Sequence, residues 1–204
     1  MIRLKICGLS RPCDIDFVNE AKPDFVGFVF AKSRRQVTAK QAATLRRALL
    51  PGIVPVGVFV NEPLEMVEAL CRDGVVEWVQ LHGNEDARYV AELREKTDAP
   101  IIRAFRVDSE SDLETCRNFP ADFLLLDHAQ GGTGTAFDWN ILRTFGEKWP
   151  DFSRRVFLAG GIRLENVLEA RTLRPYALDT SSGVETDGFK DRRKILELVK
   201  KARA

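Results

Sequence analysis

A (β/α)8 barrel is the fold this sequence predicts, and three observations predict it. Short runs of apolar and β-branched residues alternate with longer stretches of helical period from the first residues to the last, the rhythm of a repeated βα unit. The strand-like runs number eight, the count at which such units close on themselves. One of them, Phe123-Leu124-Leu125-Leu126, ends abruptly in Asp127, as a buried parallel strand does when it delivers a carboxylate to its C-terminal rim. An open doubly wound sheet is the competing architecture, but no G-x-G-x-x-G follows the first strand.

In order, the expected strands are Ile2–Cys7, Phe25–Phe30, Val54–Val60, Trp78–Leu81, Ile101–Phe105, Phe123–Asp127, Val156–Ala159 and Tyr176–Asp179. Helix starts are signalled by Ser10 ahead of Pro12, by Asn61 ahead of Pro63 and by Asn84 followed by Glu85-Asp86. Across Glu62–Arg72 the residues Leu64, Val67, Ala69, Leu70 and Cys71 form an apolar stripe, so Cys71 reads as packing. The segment Arg192–Arg203 sets Ile195, Leu196, Leu198 and Val199 on one side and lysines toward its end, which suits a terminal helix docked on the barrel.

At 204 residues the chain is expected to form one domain over 1–204, at the small end of the barrel range and with short loops. A net charge of +1 offers no basic excess for a polyanionic partner, so no nucleic acid is expected. No apolar run approaches the roughly 20 residues of a membrane helix, and a cytoplasmic location is expected. The cysteines at 7, 13, 71 and 116 form no C-x-x-C pair, which argues against a zinc site and a disulfide framework. His82 and His128, the two histidines, lack metal-ligand spacing, so no metal is expected.

The chemistry is expected at the strand ends. Alternation sends Lys5 and Cys7 to one face of the first strand and Ile6 to the other, so Cys7 tops the barrel, either as a base in an open, electropositive pocket or as a buried, inert cysteine. The second strand runs into Lys32-Ser33-Arg34-Arg35, where an arginine has the two-pronged geometry for a carboxylate. Gln80-Leu81-His82 places an amide and an imidazole on one side of the rim, where His82 either shuttles protons or orients a neighbour. Asp127 is the first catalytic candidate, followed by the glycine-rich stretch Gly131-Gly132-Thr133-Gly134. Gly160-Gly161 after the seventh strand and Ser181-Ser182-Gly183 after the eighth stand where such barrels build a phosphate site.

Lys5-Ile6-Cys7-Gly8, Ser33-Arg34-Arg35, Gln80-Leu81-His82-Gly83, Leu126-Asp127, Gly131–Gly134 with Phe137-Asp138-Trp139, Leu158–Gly161 and Ser181–Glu185 together resemble phosphoribosylanthranilate isomerases of tryptophan biosynthesis over essentially the whole chain. The resemblance implies an Amadori rearrangement of a small phosphorylated substrate by general acid–base catalysis, without cofactor or metal. It implies Cys7 as the base, Asp127 as the acid and Arg35 as the ligand of the anthranilate carboxylate, with Arg34 one position away as the alternative. His82 lines the substrate pocket, and phosphate contacts fall on Gly160, Gly161, Ser181 and Ser182 with Gly132 nearby. Thr180 departs from the valine usual in the family. The expected assembly is a monomer or weak homodimer. Indole-3-glycerol-phosphate synthase, which works through lysine and glutamate, and a silent phosphosugar-binding barrel are the competing readings. The presence of both Cys7 and Asp127 argues against the second.

Overall fold

The computed structural model describes residues 2–127 and 139–204. Eight parallel strands close in sequence order: β1 (Arg3–Cys7), β2 (Phe25–Val29), β3 (Val54–Phe59), β4 (Trp78–Leu81), β5 (Ile101–Arg106), β6 (Phe123–Asp127), β7 (Val156–Leu158) and β8 (Ala177–Thr180). The helices are α1 (Pro12–Ala21), α2 (Ala39–Ala48), α3 (Leu64–Arg72), α4 (Ala87–Arg94), α5 (Glu110–Arg117), α6 (Trp139–Lys148), α7 (Val167–Thr172) and α8 (Arg192–Arg203). Each expected strand is present with its ends displaced by no more than one residue. An antiparallel hairpin, β9 (Glu185–Thr186) with β10 (Phe189–Lys190), adds to the eight units and was not expected from the pattern.

Period two sorts each strand into a helix-facing side and an interior side. Leu4, Ile6, Val26, Phe28, Val79, Leu81, Leu124 and Leu126 join the core shared with the helices, where Ile195, Leu198 and Val199 of α8 also pack. The inward residues form a second cluster around Phe25, Val56, Ile102, Leu125 and Phe157, with Trp78, Phe123 and Tyr176 against it. Phe25, Trp78 and Phe123 come from β2, β4 and β6, and Tyr176 immediately precedes β8, so the even strands supply one layer, as barrel packing requires. Ring centroids 5.0 Å apart for Phe25–Trp78 and 4.4 Å for Phe123–Tyr176 close the N-terminal end. That plug leaves polar side chains to the opposite mouth.

Three helix starts differ from the expected caps. Arg11, not Ser10, is the N-cap of α1, because the Asp14 carboxylate reaches back to accept from the amides of both, each at 3.0 Å. Pro63 precedes α3, while Asn61 lies in the left-handed region at φ 54° and accepts from the Asn84 amide at 2.7 Å. Asp86 caps α4 by accepting from the Tyr89 amide at 2.9 Å. Asn61 and Asn84 are therefore committed to the mouth of the barrel rather than to helices. Among the described residues, no helix is long and apolar enough to cross a membrane.

Candidate active site

Cys7 ends β1 and points into the barrel, in register with Gly27 of β2. A Cβ at residue 27 would stand 2.7 Å from the Cys7 Sγ, so the sulfur occupies the room that glycine leaves. Two residues deeper along the strand, the fully buried Lys5 ammonium donates to Asp179 of β8 at 2.9 Å. The mouth at Cys7 is more closed than the sequence suggests, for the residue is 8% exposed. Burial pushes its thiol up, Lys5 pulls it down, Asp179 pushes it up and Lys190 pulls it down, leaving it above the ordinary thiol value.

Asp127 ends β6 on the same side as Leu125 and Phe123, and its carboxylate, about one-third exposed at 36%, opens to the mouth. His82 is the neighbour it faces, with Nε2 3.9 Å from Asp127 Oδ2. The Gln80 amide and His82 Nδ1 are 2.8 Å apart, a hydrogen bond that turns Nε2 of the ring toward the carboxylate. Burial pulls the imidazole below its ordinary value, Asp127 and Asp179 push it back up, and Lys5 and Arg103 add to the downward pull. The two share a cleft of about 440 Å³ with Asn61, Arg103 and Arg106.

Sequence reasoning missed what shapes this side. The buried Glu85 carboxylate accepts from the amides of Asn61 at 2.6 Å and Gly83 at 2.8 Å. Arg103 donates to the carbonyls of Glu85 and Gly83, each at 2.9 Å, and so fastens the loop after β4 to β5. Arg103, a lone charge in the apolar run Ile101-Ile102-Arg103-Ala104-Phe105, is the sequence signal for it, whereas Glu85 stands in the polar stretch Gly83–Asp86 and gives none.

Across the mouth, the loops after β7 and β8 meet as expected. Gly160 and Gly161 take φ of 78° and 83°. Asn166 holds their loop by donating to the Gly161 carbonyl at 2.9 Å and accepting from the Arg163 amide at 2.8 Å. Thr180 donates to the Ile162 carbonyl at 2.6 Å, a tie between the two loops that the usual valine lacks. Ser181 donates to the Cys7 carbonyl at 3.0 Å, and Ser182 opens the short turn that follows. Gly132, with the rest of 131–134 and His128, lies outside the described residues.

The arginine pair is anchored by a group that the sequence reading placed in a motif but gave no role. Arg35 sends both prongs of its fork to Glu185, Nε at 2.7 Å and Nη2 at 2.8 Å, while Arg34 donates to the same carboxylate at 2.6 Å and Lys190 at 2.7 Å. Burial works against the Glu185 charge, but the hydrogen bonds from Arg35 and Lys190 prevail and hold the carboxyl down at about 2. Arg35 turns inward over Gly8, whose φ is 83° and whose missing Cβ would lie 2.4 Å from Arg35 Cδ. Arg34 is the outer one, with a side chain 54% exposed against 23% for Arg35. The Asp187-Gly188 dipeptide, a strong hairpin signal, is what could have revealed the β9–β10 turn that brings Lys190 here.

The profile of N-(5′-phosphoribosyl)anthranilate (PRA) isomerases matches residues 4–201 of this chain. The chain belongs to that family. A curated N-(5′-phosphoribosyl)anthranilate isomerase from Endomicrobium trichonymphae is 42% identical over 205 residues, covering 98% of each chain. A phosphoribosylanthranilate isomerase solved with reduced 1-(o-carboxyphenylamino)-1-deoxyribulose 5-phosphate superposes with a TM-score of 0.85 at 35% identity, over 100% of this chain and 99% of that one. Monomers generated from the dimeric family member of Thermotoga maritima give 0.83 at 35% identity, with the same coverage. The family's barrel and its isomerase activity in tryptophan biosynthesis are thus those expected from the motifs at the strand ends.

Proposed function

We propose that this mouth rearranges N-(5′-phosphoribosyl)anthranilate by general acid–base catalysis, with Asp127 as acid and Cys7 as base. The observation that supports the pairing most is that β1 and β6 lift a thiol and a carboxylate into one mouth, from separate walls, beside the paired loops after β7 and β8. An acid and a base reaching a single substrate from two sides is what the reaction needs.

Protonated Asp127 gives its proton to the furanose ring oxygen, the C1′–O bond breaks, and the anilino nitrogen lone pair forms the iminium. The Cys7 thiolate then takes the C2′ proton; those electrons form the C1′=C2′ bond, and the iminium π pair returns to nitrogen. The resulting enolamine passes its hydroxyl proton on and gains one at C1′, which gives the ketone. The iminium is the electron sink, so the steps balance without a redox partner. Arg35 meets the anthranilate carboxylate with donors other than the two on Glu185, and the Gly160–Gly161 and Ser181–Ser182 segments receive the phosphate. His82 lines the cleft and orients Asp127.

Asp127→Asn tests the acid in a fluorescence assay that follows loss of substrate. Binding of a product analogue should persist while kcat collapses. A loss of less than about tenfold, or 1.4 kcal/mol of barrier, would remove Asp127 as the acid.

A further inference from the structure

If Cys7 is the base, its surroundings pose a problem, because a buried sulfur resists ionisation and the ammonium nearest along its strand is already matched. Lys5 is bonded to Asp179 at 2.9 Å, one cation against one carboxylate. On the other side the balance differs: Arg34, Arg35 and Lys190 share Glu185, three cations against one carboxylate. Of these three, Lys190 is the most enclosed, its side chain 2% exposed.

Its donors are all assigned. Lys190 Nζ donates to Glu185 Oε1 at 2.7 Å, to the Ser181 carbonyl at 2.9 Å and to Ser181 Oγ at 3.3 Å. Ser181 Oγ in turn donates to the carbonyl of Cys7 at 3.0 Å. The ammonium therefore stands two hydrogen bonds from the peptide that carries the sulfur, and it is brought there by a hairpin outside the eight βα units. The charged groups around the sulfur are Lys5 from β1, Arg35 from the loop after β2, Asp179 from β8 and Lys190 from β10. Lys190 acts on the thiol in the direction of the thiolate; burial pulls the ammonium itself below the ordinary lysine value, and the Glu185 hydrogen bond and the Cys7 sulfur work against that pull.

We propose that Lys190 is a positioning residue for Cys7: through Ser181 it fixes the turn from Cys7 to Gly8, and as the enclosed member of a cluster of three cations on one carboxylate it sets net positive charge beside the buried thiol that serves as a base. The inference rests on the assignment of Cys7 above and adds the group that makes that assignment workable.

The test uses the full chain and reads the sulfur separately from the chemistry. Alkylation of Cys7 by iodoacetamide is followed against pH by peptide mapping, with Cys71 as the internal reference, and kcat/KM is measured over the same range. In Lys190→Met the Cys7 midpoint should rise by about one pH unit or more, the acid limb of kcat/KM should follow it, and activity should recover at alkaline pH. Lys190→Arg should restore both. Glu185→Gln removes the counter-charge and keeps Lys190, so it should move the midpoint downward, an opposite sign that loosening of the hairpin does not produce. A midpoint unmoved in both Lys190→Met and Glu185→Gln, or a loss equal at every pH, would overturn the inference. A midpoint that moves while the kcat/KM profile stays put would uphold the coupling of Lys190 to the sulfur and remove Cys7 from the chemistry.

Discussion

Gly27→Ala is a one-methyl perturbation that strikes the base without touching a polar group. The added Cβ would lie 2.7 Å from Cys7 Sγ, 3.1 Å from Cys7 Cα and 3.3 Å from Cys7 Cβ. Ordinary contacts between such atoms are about 3.5–4.0 Å, so the sulfur must retreat by about 1 Å. Rotation of the thiol alone does not suffice, because the contact with Cys7 Cα involves backbone. Gly27 pairs with Cys7 on one side and Val56 on the other, so the strand itself resists a shift. Overpacking of this kind costs about 1–3 kcal/mol. For a chain of this length that corresponds to a fall in Tm of roughly 2–12 °C. A reacting atom misplaced by about 1 Å loses on the order of a hundredfold in rate, and that loss should fall on kcat rather than KM. Thermal melting and steady-state kinetics on the same preparation measure both. Parental kcat together with a parental Tm would refute the placement of the sulfur against β2.

Arg35→Lys should chiefly raise KM, since a lysine loses the fork that Glu185 orients, whereas Arg34→Lys on the outer side should change kinetics little; damage confined to Arg34→Lys would reverse the assignment. Glu185 ionises well below its ordinary 4.5, at about 2, so its contribution to stability is full above 4.5 and is lost as pH falls toward about 2. In acid titrations followed by circular dichroism, the parent should lose more stability across that window than Glu185→Gln does, and equal slopes would contradict the three-cation cluster on the buried Glu185 carboxylate.

The strands and their end residues were legible because the barrel obeys one local rule. Period two fixes which of Lys5, Ile6 and Cys7 faces inward, and a closed parallel sheet converts that into a place at the mouth. Asp127 was legible for the same reason. The closure of the site was not. Asp179 lies 174 positions from Lys5, and no local pattern says that the two share a bond. Glu185 and Lys190 sit in strands of two residues, too short to alternate. Asn61 and Asn84 carry cap chemistry, yet tertiary contacts use that chemistry to build the loops after β3 and β4. The surroundings of Cys7 likewise combine the room left by Gly27 with the charge of Lys190, which come from separate elements.

The division of labour between Asp127 and Cys7 is tested most directly by a primary isotope effect on kcat with substrate deuterated at C2′. Weakening the base in Cys7→Ser should make removal of the C2′ hydrogen limiting, so the isotope effect should grow above that of the parent. Weakening the acid in Asp127→Asn should make ring opening limiting, so the effect should shrink toward unity. The same isotope effect in both variants, or the two changes in the opposite order, would contradict the assignment of acid and base.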